Sequence, residues 1–258
     1  MLHARILTAL AAALVLSSVH FASAEDWGNL KGRFIYDGAA PAPKALTIDK
    51  DQQVCGNKGL ADESLVVGPN GGLANVAIWI KSKVKAHPDY DKTADATVVL
   101  DNKGCRFEPH IAAVRVGQTL QIKNSDPVAH NTNIAGRFLQ TNPLIAAGST
   151  SDVKVEAAEN VPAMVSCNIH PWMKARVLLK SSPYVAVSGK DGTFEIKNLP
   201  AGELEFVVYH ERSGYVTDAE LKSGKATWPK GAVKFTIEPG KDTDLGDIKL
   251  AAAQFNKD

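Results

Sequence analysis

The chain has 258 residues, which is enough for one or two hydrophobic cores of ordinary size. Lysine and arginine together number 29 and aspartate and glutamate 28, so the net charge is close to zero. This balance argues against nucleic-acid binding and against a polybasic membrane-binding patch.

The N-terminal segment 1–24 has the features of a secretory signal peptide. Arg5 provides a short positive region, 6–19 is an apolar run, and Ala-Ser-Ala at 22–24 is a small-residue cleavage site. Polar residues from Ser17 onward end the run before the roughly 20 apolar residues that a membrane span needs. We therefore expect cleavage after Ala24, a periplasmic or secreted protein, and no integral membrane segment in the mature chain.

After the leader, apolar residues come in short runs rich in Val, Ile and Phe, separated by Gly, Pro, Asn and Asp. This pattern is typical of all-β sandwiches, and it predicts an all-β protein. The predicted strands are 30–36, 74–80, 96–100, 114–122, 153–155, 163–166 and 176–179, and then 184–187, 193–196, 204–209 and 233–237.

Polar residues and a proline at 180–183 mark a linker between two unequal domains. The first domain is predicted to span 25–181, with a core at about 96–180 preceded by an N-terminal extension. The second, a small β-sandwich, is predicted to span 182–250, and a tail covers 251–258.

The segment from Cys167 to Met173 reads Cys-Asn-Ile-His-Pro-Trp-Met and lies between two predicted strands. It offers a thiolate, an imidazole and a thioether, and Pro171 favours the tight turn that would bring them to one ion. The remaining imidazole would come from His130, after the strand that ends near residue 123. Two histidines, one cysteine and a weak axial methionine are the ligand set of a blue-copper electron-transfer site. The sequence therefore predicts one type 1 copper held by His130, Cys167, His170 and Met173.

These motifs resemble the cupredoxin, or blue copper, family. The matching features are Val-Arg-Val-Gly-Gln-Thr-Leu-Gln-Ile-Lys-Asn-Ser-Asp at 114–126, His-Asn at 130–131, and the 167–173 loop, which is of the amicyanin and plastocyanin type. The resemblance covers about 96–180 and implies a Greek-key β-sandwich. It also implies that Asn131 hydrogen-bonds across to the thiolate loop as a brace. Asn168 departs from the family, which often has a hydroxyl residue there.

Multicopper oxidases are similar to cupredoxins but carry a His-Cys-His run. Here Cys167 is flanked by Ser166 and Asn168. We therefore expect an electron carrier and not an enzyme.

Two cysteines remain in a chain that is expected to be exported. In an oxidising compartment Cys55 and Cys105 most simply form a disulfide. Two free buried thiols, or a second metal site that draws on nearby His110, stay open as alternatives.

The region 183–250, and above all Gly-Thr-Phe-Glu-Ile-Lys-Asn-Leu-Pro-Ala-Gly at 192–202, resembles the carboxypeptidase regulatory-like and transthyretin-like β-sandwich family. That resemblance implies a scaffold or docking module, and fold alone assigns it no activity.

The predicted function is single-electron transfer between redox partner proteins by Cu(II)/Cu(I) cycling. The alternative is a copper-binding or delivery module, or an adhesion protein that uses a cupredoxin scaffold. In the carrier hypothesis one edge of His170 approaches solvent, and Pro171 and Trp172 form an apolar rim for weak, transient docking.

Overall fold

The computed structural model describes residues 27–256, so the predicted signal peptide lies outside the described residues. In this range no helix has the length and apolar character to cross a membrane. Helical structure is limited to α1 at Gln52–Cys55 and to short 3₁₀ turns, which are Pro69–Gly71, Pro88–Thr93, Pro229–Gly231 and Ala252–Phe255.

The rest of the regular structure is β, as the sequence predicted. The strands are β1 Trp27–Asp37, β2 Ala77–Ile80, β3 Thr97–Asn102, β4 Phe107–Glu108, β5 Ile111–Arg115, β6 Thr119–Asn124, β7 His130–Asn131, β8 Asn133–Ala135, β9 Gln140–Thr141, β10 Leu144–Ile145, β11 Thr150–Lys154, β12 Ala163–Ser166, β13 Lys174–Lys180, β14 Val185–Val187, β15 Thr193–Pro200, β16 Gly202–His210, β17 Gly214–Tyr215, β18 Asp218–Leu221, β19 Gly224–Thr227, β20 Ala232–Ile237 and β21 Asp242–Ala251.

The middle of the chain forms one β-sandwich, which we call the ligand sandwich. One sheet has the order β11-β6-β3-β4 and the other β5-β13-β12-β8-β9, while β7 and β10 form a short ribbon beside them. Alternate residues of β13, namely Ala175, Val177 and Leu179, face the core between the two sheets. Leu100 and Leu120 reach the same core from the opposite sheet.

The C-terminal strands form a second sandwich with two strands from the start of the chain. One of its sheets has the order β15-β1-β21-β18-β19, and the other has the order β14-β2-β16-β17 with β20 also paired to β16. Its core includes Phe34, Phe206 and Ile248. The sequence assigned β1 and β2 to an extension of the first domain, but their hydrogen-bonded partners are the C-terminal strands. The ligand sandwich is thus inserted within the chain of the second sandwich.

A third, smaller apolar cluster joins the two sandwiches. Trp79 and Val207 from the second sandwich pack with Ile111 and Leu178 from the ligand sandwich. Every residue of β2 is buried because Ile78 and Ile80 face one core while Ala77 and Trp79 face the other. The four sheets therefore stack as layers with apolar cores between them.

A long connection between β1 and β2 crosses the ligand end of the ligand sandwich. We call residues 38–66 of it the strap. An isolated bridge between Ala45 and Ala61 closes the strap on itself. The disulfide between Cys55 and Cys105 fastens it to the ligand sandwich, with a Cα–Cα distance of 5.6 Å and both cysteines fully buried. This disulfide was predicted, and its presence removes the alternative of a metal site that uses these two thiols.

Candidate metal centre

Two loops bring three metal-binding side chains together. His130 begins β7, and Cys167 and His170 lie in the loop from β12 to β13. A hydrogen bond from the Met173 N–H to the His170 carbonyl (2.9 Å) closes the turn in this loop. One donor atom from each of the three side chains lies within 4.8 Å of the others. All three side chains are buried.

His130 is oriented by a carboxylate. Its Nε2 lies 3.0 Å from Asp126 Oδ2, and both side chains are buried. Its other ring nitrogen, Nδ1, is buried and has no hydrogen-bond partner among the described residues. A buried imidazole nitrogen without a partner is costly unless a ligand satisfies it. This arrangement fits a metal bound at Nδ1, with the carboxylate fixing the tautomer.

His170 is held in a similar way from a distant part of the chain. Its Nδ1 lies 3.7 Å from Cys167 Sγ, and its Nε2 lies 2.7 Å from Asp51 Oδ2 on the strap. The ring is fully buried. The expectation that one edge of His170 approaches solvent is therefore wrong, because the strap covers that edge.

Asn131 links the two ligand loops. Its Oδ1 accepts hydrogen bonds from the Asn168 N–H (2.8 Å) and the Ile169 N–H (3.2 Å), and the Cys167 thiol lies 3.4 Å away. Its Nδ2 donates to Asn142 and to Asn168. The amide thus fixes the position of the sulfur relative to His130, the residue before it in the chain.

The electrostatics of the centre favour a thiolate. Burial alone would raise the pKa of Cys167, but the approach of His130 and hydrogen bonds with neighbouring peptide groups lower this pKa to about 7. Burial alone would lower the pKa of His130, but its hydrogen bond with Asp126 and the nearby thiolate raise that pKa to about 9. The centre therefore places the Cys167 thiolate beside a protonated His130, and a bound metal cation would take the place of the imidazole proton.

Met173 is 1% exposed and belongs to the same core as Cys167. Of the two rim residues, Pro171 is exposed and Trp172 is half-buried. The Trp172 indole donates to the Cys105 carbonyl (3.2 Å) and its ring lies 5.0 Å from the His170 ring, centroid to centroid.

The donor set fits copper. A thiolate, imidazoles and a nearby thioether are the soft and borderline ligands that copper sites use, whereas magnesium or calcium would need several oxygens. In the part of the chain that the structure describes, this is the one group of this kind.

His110 lies outside this centre, at the junction of the two sandwiches. Its Nε2 is 2.8 Å from Glu211 Oε1, and Arg176 Nε is 3.3 Å from the other oxygen of that carboxylate. His110 thus belongs to a buried hydrogen-bond network around the Glu211–Arg176 ion pair.

Asp51 is the residue that the sequence analysis missed. It lies 119 positions before His170, and an aspartate in a polar strap carries no metal-site signal of its own.

No family model matches the chain, and no curated protein matches it. Among solved structures, a purple cupredoxin from Nitrosopumilus maritimus is 22% identical over 33% of this chain and 99% of its own, with a TM-score of 0.28. An amicyanin variant with Cu(I) is 20% identical over 40% of this chain and 97% of its own, with a TM-score of 0.30. A copper-containing nitrite reductase from Thermus scotoductus SA-01 is 20% identical over 33% of this chain but only 22% of its own, with a TM-score of 0.28.

Proposed function

We propose that this protein binds one copper ion at His130, Cys167, His170 and Met173, and that it carries single electrons between partner proteins outside the cytoplasm. The observation that carries the proposal is the buried group of His130, Cys167 and His170, whose donor atoms lie within 4.8 Å of one another. When bound, copper would supply the one-electron couple. The protein's part is to hold the donors in place.

The support for electron transfer comes from how rigidly the donors are fixed. Each histidine is tied at Nε2 to a carboxylate, and the cysteine loop is tied to Asn131. Buried protein donors that are held by such hydrogen bonds limit the structural change that accompanies a change in metal charge. A catalytic metal site instead keeps a position open for water or substrate. We therefore propose no enzymatic activity.

Docking of a redox partner is proposed at Pro171 and Trp172. The Trp172 ring contacts the His170 ring and also reaches the surface. Trp172 thus provides a path for electrons from His170 to a partner, although His170 itself is covered. Transient redox complexes use small interfaces, and the exposed Pro171 beside the half-buried Trp172 is proposed as the centre of one.

Replacing Cys167 tests the proposed centre. Cys167→Ser removes the thiolate, so the protein loaded with Cu(II) should lose the intense thiolate-to-copper absorption band and the associated spin-resonance spectrum. His110→Ala is the matched control, because His110 is a buried histidine outside the centre. A strong band that survives in the serine variant would overturn the assignment.

A copper-binding or delivery role, or a scaffold role, is the alternative. The covered edge of His170 favours a copper-binding or scaffold role, because that ligand edge is not exposed to a redox partner. The same closure disfavours delivery, because a closed site releases its metal slowly. Rapid one-electron exchange of the copper protein with a small inorganic oxidant and reductant supports the carrier, whereas a protein that holds Cu(I) only or stays colourless supports the alternative.

A further inference from the structure

Asp51 has an unusual local conformation for its position. It precedes α1 with φ 45° and ψ 42°, in the left-handed region that few residues other than glycine adopt, although aspartate tolerates it better than most. Aspartate at a helix start commonly accepts a hydrogen bond from the first turn. The described structure shows no such side-chain cap here. The side-chain partner of Asp51 lies outside the helix.

The carboxylate goes to the covered edge of His170. Its Oδ2 lies 2.7 Å from Nε2, and the Asp51 side chain is 40% exposed while the histidine ring is fully buried. The carboxylate therefore lies between the ring and solvent. A carboxylate in this position keeps the proton on Nε2 and leaves Nδ1 free to face the sulfur.

The strap is anchored at a residue, Cys105, that contacts a neighbour of each histidine ligand. Cys105 is bonded to Cys55, four residues after Asp51. Its N–H donates to Asp126 at 2.8 Å, the carboxylate that holds His130, and its carbonyl accepts from the Trp172 indole. The disulfide thus fixes the strap to the same peptide that positions the carboxylate of the other histidine.

We propose that Asp51 is a positioning residue of the metal centre. It fixes the tautomer and orientation of His170, and it closes the ring edge through which solvent or a competing chelator would reach this ligand. The part of the proposal that concerns metal retention rests on the proposed function, whereas the part that concerns the imidazole does not. Because the strap is disulfide-anchored, this closure belongs to the resting fold and needs no partner.

The first experiment uses the copper-free, full-length mature protein labelled with ¹⁵N. The imidazole nitrogen shifts of His170 report its tautomer, and proton exchange at Nε2 reports access of solvent. The wild type should show the Nε2–H tautomer with slow exchange. Asp51→Ala should exchange at least about tenfold faster, and Asp51→Asn, which keeps an acceptor oxygen without the charge, should fall between the two.

The second experiment measures release of copper from the loaded protein to an excess of a soluble copper chelator. Losing a carboxylate behind a metal-binding histidine typically costs 10- to 100-fold in metal affinity, so Asp51→Ala should release copper faster by a factor of this order. Asp49→Ala is the matched control, since Asp49 is exposed on the same strap two residues away. It should behave as the wild type in both experiments.

Equal Nε2 exchange in Asp51→Ala and Asp49→Ala, with an unchanged tautomer, would overturn the proposal. If the alanine variant fails to fold, Asp51→Asn takes its place, because it preserves the side-chain shape. Nε2 exchange in Asp51→Asn equal to that in Asp49→Ala would then overturn the proposal. A wild type that shows the expected tautomer and slow exchange but binds no copper would refute the proposed function and leave the positioning role of Asp51 standing.

Discussion

Replacing Leu178 by alanine should destabilise both sandwiches together. Leu178 is fully buried on the face of β13 that points away from the ligand core, where it packs with Trp79, Ile111 and Val207. Cutting a buried leucine to alanine costs about 2–5 kcal/mol, and the cost is higher where neighbours cannot close the cavity. These neighbours lie on hydrogen-bonded strands of two different sheets. We therefore expect a loss of about 3–4 kcal/mol in the free energy of unfolding.

The assay is urea unfolding followed by far-ultraviolet circular dichroism and by tryptophan fluorescence. Both signals should shift to the same lower midpoint, because the cluster around Leu178 joins the two sandwiches. Leu178→Met should cost less than about 1.5 kcal/mol since it keeps the volume. Met164→Ala, at a residue that is 56% exposed, should stay within about 0.5 kcal/mol of the wild type. A loss below about 1 kcal/mol for Leu178→Ala, or separate transitions for the two sandwiches in the wild type, would refute the reasoning.

Three further predictions concern other parts of the molecule. Burial lowers the pKa of His210 to about 4, so between pH 6.5 and 4 the unfolded chain takes up a proton that the folded chain does not. As the pH falls through this range, the free energy of unfolding should therefore decrease by up to about 3 kcal/mol from this group. His210→Asn should show a flatter fall in urea titrations over this pH range, and an identical slope would contradict the assignment. Thiol labelling under denaturing conditions, with copper removed, should mark Cys167 alone and leave a linked Cys55–Cys105 peptide; three labels without reductant would contradict this. In the copper-loaded protein, Trp172→Lys should keep the fold and the thiolate band but slow electron exchange with a physiological partner, with Trp172→Phe as the milder control. Unfolding or bleaching by the lysine would instead show that Trp172 serves the core.

Much of the fold class and of the proposed donor set follows from local sequence. Strands can be predicted because one buried face imposes an alternation that is visible within a few residues, as in β15, where Phe194 and Ile196 are buried between exposed neighbours. The loop from Cys167 to Met173 is similarly local, since its donors are neighbours along the chain. His130 is the one distant donor, and a motif of its own marks it. The cysteine pair was predictable because only two thiols remained once Cys167 was assigned to the metal.

The tertiary structure decided which distant segments meet. It placed β1 and β2 with the C-terminal strands, buried Leu178 between two sandwiches, and brought Asp51 onto His170 across 119 positions of the chain. Alternation shows that a strand has an apolar face, but it does not show which sheet covers that face. A single carboxylate on a polar strap has no periodic pattern at all. Its role exists only because a disulfide and a turn in the left-handed region carry it to a buried ring, and that proximity is a property of the whole fold.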